Sequence, residues 1–437
     1  MKWRAVIFSA AGIFSFEHAI AASSMRAAGL IKIESAVQIA DGTTQKTELS
    51  LLPQFEWRDV FGVDISMNGR LRSDWSDRLE SGQPEQNAID PWTRRYLVGE
   101  HADAELRELY AEFYLANSYL KLGKQQVVWG KADGLKVLDR VNPQSFREFI
   151  LADFETSRIP LWTVNWEFYV SDDWNGQLLF IPDQTYHDIP AAGSVYAPTS
   201  PELLPRIPAD RPVISAVRHV PDRTLVDADA GLQLSTRKNG WDLTLNYLYH
   251  YADAAVTRVI KLDAGIRLET SYERTHTFGG SASNAFGDVT VRAELGYATD
   301  RYIQSMDPQS NDGLIHGGEL AYVLGLDWVG LRNTLISMQL FQSWFDRNGE
   351  AASRDSVETD MTLLIERRFL NDVVVLRQQL IHDVDTEDGL ASFSLSYDYL
   401  ANLVLRVEAD IFYGTENGRF GQYDTKDRIL VGFEYGY

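Results

Sequence analysis

The chain contains no cysteine, which removes disulfides, zinc ribbons and thiol nucleophiles together. Cations are also in short supply: 41 Lys and Arg stand against 62 Asp and Glu, a net charge of −21. A chain so acidic repels a polyanion, so nucleic acid is excluded as a partner. Eight histidines are scattered through the sequence, with no H-E-x-x-H, G-x-S-x-G or glycine-rich phosphate motif. The pairs His187-Asp188 and His382-Asp383 place an imidazole beside a carboxylate, but adjacent residues of a strand point to opposite faces and build no dyad. Glycosidase-type carboxylate pairs carry no information among so many acids. We therefore expect no enzyme, with no catalytic residue, no metal and no cofactor.

Long apolar runs are equally rare. The longest is near the start, in MKWRAVIFSAAGIFSFEHAIAASS, where Lys2 and Arg4 precede an apolar stretch over 5–16 and Ala19-Ile20-Ala21 forms a small-x-small site. This is the layout of a secretory signal peptide over 1–21, too short to span a bilayer, which takes about twenty residues. The remainder, 22–437, reads as one domain. The absence of any later transmembrane helix does not make it soluble, because a barrel strand alternates lipid-facing and lumen-facing residues and so averages to nearly neutral hydropathy.

That alternation is present almost everywhere. Trp241, Leu243, Leu245, Tyr247, Tyr249 and Tyr251 oppose Asp242, Thr244, Asn246 and His250; Leu403, Leu405, Val407, Ala409, Ile411 and Tyr413 oppose Asn402, Arg406, Glu408 and Asp410. The period of two is that of a strand, and the apolar rows begin or end in aromatics, as a membrane girdle does. Such segments number about eighteen, with sixteen as the alternative, among them one at 265–282. Tight Asn, Asp and Gly turns, such as 172–173, 238–240 and 284–286, alternate with long loops at 75–105, 129–159, 183–224, 302–313, 347–357 and 414–426. An even strand number puts every short turn on one rim and every long loop on the other. The expected fold is all-β: a transmembrane, antiparallel, up-and-down barrel whose extracellular loops fold partly into the lumen.

The ending RILVGFEYGY fits this plan, with Ile429, Val431, Phe433, Tyr435 and Tyr437 on one face. Lipid covers that face and the first strand pairs with the last, so no edge is left open. Phe433, Tyr435 and Tyr437 also form an aromatic C-terminal signal of the kind barrel-assembly machinery reads. Outer-membrane lipid and lipopolysaccharide are the other expected contacts.

Lumen-wall charges are expected at Arg267, Glu269 and Glu273, at Arg292 and Glu294, and at Arg406, Glu408 and Asp410. Something must narrow so wide a lumen. The charged stretch after the fifth strand supplies constriction candidates: Trp129, Lys131, Asp133, Lys136, Asp139, Arg140, Arg147, Glu148 and Arg158. Within it Asn142-Pro143 reads as a helix cap and first turn, opening a short helix through about Leu151. The 183–224 loop holds seven of the fourteen prolines, with Arg206, Arg211, Arg218, His219 and Arg223, and reads as a stiffened lid, plug or lipopolysaccharide contact.

At Gly123, Lys124, Gln125, Val127, Trp129 and Gly130, followed by Asn142 and Pro143, the sequence resembles a domain-of-unknown-function family of Gram-negative outer-membrane proteins. Arg292 to Tyr297 adds to the likeness, which runs from about residue 28 to the C-terminus. The resemblance implies an outer-membrane barrel working beside periplasmic and inner-membrane transport partners in moving hydrophobic or lipid-like molecules. The sequence thus predicts an outer-membrane channel or transporter for small solutes or amphiphiles. A closed conduit for greasy cargo is the alternative; an outer-membrane hydrolase and an adhesive barrel rank lower.

Overall fold

In the computed structural model, residues 24–437 are described apart from positions 209, 308 and 348, and the signal peptide expected over 1–21 lies outside the described residues. The first strands are β1 (Ser24–Gln38), β2 (Thr44–Val60), β3 (Val63–Asp74), a short β4 (Tyr96–Val98), β5 (Ala102–Leu115) and β6 (Ser118–Gln125). A one-turn helix α1 (Phe154–Ser157) precedes β7 (Leu161–Ser171), β8 (Trp174–Ile181), β9 (Val213–His219), β10 (Asp229–Lys238) and β11 (Trp241–Tyr251). Then come β12 (Val256–Leu262), β13 (Gly265–Ser271), β14 (Arg274–Phe286), β15 (Val289–Gln304), β16 (Leu314–Trp328) and β17 (Thr334–Phe345). The series ends with β18 (Val357–Phe369), β19 (Val374–Asp383), β20 (Asp388–Leu400), β21 (Leu403–Tyr413), a 3-10 turn at Gly421–Lys426 and β22 (Arg428–Gly436).

Eighteen of these strands, all but β4, β9, β12 and β13, pair antiparallel with their chain neighbours and close into a barrel. Closure is made by β1 on β22, in register from Leu30↔Gly436 to Gln38↔Arg428. It ends in a two-way backbone clasp at 3.0 Å between Gly29 and Tyr437. Each barrel strand thus has a paired neighbour on both sides and no edge is left open, which is what a hydrocarbon surrounding requires. The burial pattern is inverted relative to a water-soluble sheet: on β11, Leu245 is 58% exposed and Asn246 only 8%. The apolar row faces outward and the polar row inward, the signature of a transmembrane barrel.

One rim carries the turns 61–62, 116–117, 172–173, 239–240, 287–288, 329–333, 370–373 and 401–402, and the other carries the long loops. Two expectations are corrected. The segment 265–282 is not one strand: the chain rejoins the barrel only after 272–273, where Tyr272 stacks on Tyr186 at 3.6 Å and Glu273 O accepts the Ala252 N–H. Both pieces alternate, so periodicity alone joins them. Strand β13 instead lies between β12 and a parallel β9 in a loop sheet. The turn expected at 284–286 falls at 287–288, where Gly287 takes a φ of +62° and leaves Asn284 to Phe286 in β14.

Candidate functional site: a loop folded into the barrel

The loop between β6 and β7, residues 126–160, descends into the barrel and touches its wall on nearly every side. The motif residues prepare the descent. Gly123 has φ +134°, and a Cβ there would meet the Leu109 carbonyl oxygen at 2.1 Å, so only glycine allows the bend. Lys124, 1% exposed, donates to Leu106 O at 2.7 Å, and Gln125 Nε2 donates to Thr163 O at 3.1 Å. Trp129 packs with Val127, Val141, Leu161, Leu179, Ile181 and Leu248, and its Nε1 donates to Gln177 at 2.7 Å. Its ring lies over Gly231 of β10, where any Cβ would come within 2.7 Å.

From there the tip reaches the far wall. Glu294 on β15 accepts the backbone N–H groups of Lys131, of Ala132 at 2.8 Å and of Leu138 at 3.3 Å. Arg292 bridges Asp133 at 2.9 Å and Asp327 of β16 at 2.7 Å, Lys131 pairs with Asp242 near the short-turn end of β11 at 3.1 Å, and Gln339 of β17 accepts the Asp133 N–H at 3.2 Å. Val137 and Leu138 pack against Ala321, Val323 and Phe341. The loop therefore crosses the lumen.

The returning limb is held by charge. Arg147 pairs with Glu48 of β2 at 2.7 Å, Asp74 of β3 at 2.9 Å and Glu80 of the 75–101 loop at 2.9 Å. Glu148 takes Lys46 of β2 at 2.7 Å and Arg428 of β22 at 2.8 Å, and Arg428 also pairs with Asp410 at 2.8 Å. Burial alone would raise the Glu148 carboxyl, but Lys46, Arg428 and Arg147 outweigh it and hold it well below the usual range. Phe149 enters an aromatic cluster with Tyr196, Phe412, Phe420 and Tyr423, so two other loops and β21 meet this limb. Each of these carboxylates has a cationic partner within 3 Å, which is why burying them is tolerable.

All nine loop candidates thus lie inside the barrel or at its mouth: Arg158 pairs with Asp139 at 2.7 Å, Lys136 with Asp139 at 2.9 Å, and Arg140 approaches Glu319 of β16 at 3.9 Å. Among the wall candidates Arg292, Glu294, Arg406, Glu408 and Asp410 face inward. Arg267 and Glu269, paired with each other at 3.0 Å, stand instead on β13 in the loop sheet, and Glu273 sits in the link after it, pairing with Arg258 at 2.7 Å. The helix expected from Asn142 is absent. Asn142 spans the two limbs, accepting the Val127 N–H at 2.8 Å and donating to Ile159 O at 2.9 Å, so its side chain is spent on a clasp rather than a cap, and Phe149 at φ +53° breaks any helical run. The one-turn α1 forms later, after Asp153. His187 accepts the Gln144 N–H at 3.0 Å, whereas His382 faces outward onto Tyr413 at 3.0 Å and Asp383 inward onto Arg419 at 3.2 Å. The wall anchors Lys46, Glu48, Asp74 and Arg428 carry only a weak sequence signal, charge on inward rows at the loop ends of β2, β3 and β22, legible only once the strand register is known.

The model for the family described as "Protein of unknown function (DUF1302)" matches residues 52–428. The chain belongs to this family. No protein of curated function is significantly similar to this DUF1302 protein. Among solved structures it is similar in fold to Pseudomonas aeruginosa OccK2 (OpdF) in complex with glucuronate, with 11% identity, TM-score 0.53, and 94% and 97% of the two chains covered. It is also similar to Acinetobacter baumannii OccAB3, with 8% identity, TM-score 0.52 and 94% and 99% covered. A third is Pseudomonas aeruginosa OpdK with vanillate, with 11% identity, TM-score 0.50 and 94% and 98% covered. The DUF1302 chain thus has the barrel fold of outer-membrane porins.

Proposed function

We propose that the protein is an outer-membrane channel that passes small solutes through a polar lumen narrowed by the 126–160 loop. The observation that carries this is the loop's route: it binds opposite walls through Glu294 and Arg292 on one side and Lys46, Glu48, Asp74 and Arg428 on the other. Lys131, Asp133, Lys136, Asp139, Arg140, Arg147, Glu148 and Arg158, with Trp129 as their root, are the constriction, and Arg406, Glu408 and Asp410 line the wall beside it. Passage is passive, selected by width and field rather than by chemistry. The structurally similar barrels solved with glucuronate and with vanillate support a lumen that admits small solutes. Export places the barrel in the outer membrane, with Phe433, Tyr435 and Tyr437 presented to the assembly machinery.

The test is bilayer current from the purified chain, intact and with 131–158 shortened. A steady current that grows on shortening is expected; silence from both forms refutes the channel. A closed conduit for hydrophobic cargo, served by periplasmic partners, is favoured by one feature: an apolar groove of about 710 Å³ on the outward face, lined chiefly by Leu324, Leu326, Met338, Leu340, Met361 and Leu363. That reading predicts a silent barrel that still exchanges lipid-like probes between vesicles.

A further inference from the structure

On the loop-rim side of the constriction, three guanidinium groups crowd one carboxylate. Glu319 of β16, 5% exposed, faces Arg301 of β15 at 3.0 Å, Arg354 of the 346–356 loop at 3.7 Å and Arg140 of the inserted loop at 3.9 Å. Arg354 is closed off by Glu358, whose Oε1 accepts its Nε at 2.7 Å. That leaves Arg140 and Arg301 sharing a single charge. Arg140 spends only its Nε internally, on Val137 O at 2.8 Å. Both side chains keep about a quarter of their surface open, 24% and 25%.

The His187 imidazole is pushed down to about 3, by burial first and then by Lys136, Arg301 and Arg140. Burial, and then Arg301, lower Arg140 itself. The acids nearby offset little: Asp253 is held well above the usual range by burial and Asp229, and Glu202, which acts on Arg354, is raised to about 7 by burial and Glu358. One fork stands on the inserted loop and the other on the barrel wall, and they approach the same carboxylate oxygen, Glu319 Oε2.

We infer that Arg140 and Arg301 form a recognition site for the carboxylate group of small organic acids, at the entrance to the constriction. The inference rests on the reading that solutes enter this lumen. Planar guanidinium forks match the two oxygens of a carboxylate, and a half-buried setting strengthens the attraction over that in bulk water. Glu319 occupies the edge of the site as an internal competitor, keeping affinity low enough for release, as conduction demands. Affinity for a monocarboxylate is then on the order of millimolar.

The probe is benzoate, titrated into the detergent-solubilised mature chain at fixed ionic strength, with benzamide as the neutral isostere. Saturable binding of benzoate over benzamide is expected. Arg301→Gln and Arg140→Gln each weaken it about 10-fold or more, since each removes one charge-assisted fork. Glu319→Gln removes the competitor and tightens benzoate binding roughly 3- to 10-fold, a gain that misfolding cannot imitate. Equal binding of benzoate and benzamide, or indifference to all three substitutions, overturns the site. A barrel that conducts without arginine-dependent benzoate binding refutes this site and leaves the channel standing; one that binds benzoate through these arginines yet passes no current does the reverse.

Discussion

Removing the Glu294 carboxylate should free the tip of the inserted loop while leaving the barrel intact. Glu294 sits on β15 and receives three backbone N–H groups, those of Lys131, Ala132 and Leu138. Hydrogen bonds to a charged acceptor contribute about 1.5–3 kcal/mol each, and lumen water competes for the freed donors, so the set is worth about 3–5 kcal/mol to the docked tip. Arg292 to Asp133 and Gln339 to the Asp133 N–H remain and prevent complete release. In Glu294→Ala the opening equilibrium of the tip therefore shifts by roughly two to four orders of magnitude. Hydrogen exchange in nanodiscs reads this directly: the peptide spanning 127–139 should lose protection by that factor while peptides from β1, β2 and β20–β22 keep theirs. Bilayer recordings should show a larger and noisier current. Glu294→Gln, which keeps an acceptor oxygen but loses the charge, should fall between. If the 127–139 amides exchange as slowly as in the parent protein, the three bonds do not hold the tip and the account of its docking is wrong.

Arg147→Ala leaves Glu48, Asp74 and Glu80 without their shared cation; breaking a buried ion network costs about 3–5 kcal/mol, so the unfolding midpoint in detergent should drop clearly, and an unchanged midpoint counts against the network. Leu245→Arg puts a charge on the outward face, where mid-bilayer placement costs about 2–4 kcal/mol; refolding yield into vesicles should fall, while the same change at the inward Asn246 is milder. Gly231→Val drives a side chain into the Trp129 ring, 2.7 Å from its Cβ, and should red-shift tryptophan emission as the indole swings into lumen water. Glu202 gives a pH test. Its carboxyl is raised to about 7 by burial and Glu358, so the loop is firmest when it is protonated and loosens as pH rises from about 4.5 through 7. With part of the group open to solvent the effect is about 1–2 kcal/mol. Exchange of the amides at Thr199 and Ser200, which donate to Gln422, should therefore speed up across that window, and Glu202→Gln should flatten the profile.

The barrel was legible because lipid enforces a single rule along its whole wall. Alternation such as Leu245 outward and Asn246 inward is set by the pleat and by the surrounding hydrocarbon, both local to a strand, so strand number and rim asymmetry could be read from one chain. The errors fall where that rule lapses. Strand β13 alternates like a barrel strand yet packs on β9, a partner distant in sequence that no local pattern names. The Asn142-Pro143 pair carries a helix-start signal, but its side chain serves Val127 and Ile159, a cross-loop tie that outcompetes the cap. Among the site residues, opposite charges in the 126–160 loop pointed to ion pairing, whereas their partners Lys46, Glu48, Asp74 and Arg428 came into view only through the register that stacks the ends of β2, β3 and β22. The same holds for the crowding of arginines around Glu319, which draws on three separate segments.

The Asn142 clasp has an engineering corollary. Because it ties the descending and returning limbs together just below the point where β6 and β7 separate, the neck of the loop is fastened independently of whatever lies beyond it. Foreign tips spliced between Gly130 and Val141 would therefore be presented to the same bore by the same collar, so one scaffold could be fitted with interchangeable sieves without redesigning a single wall strand.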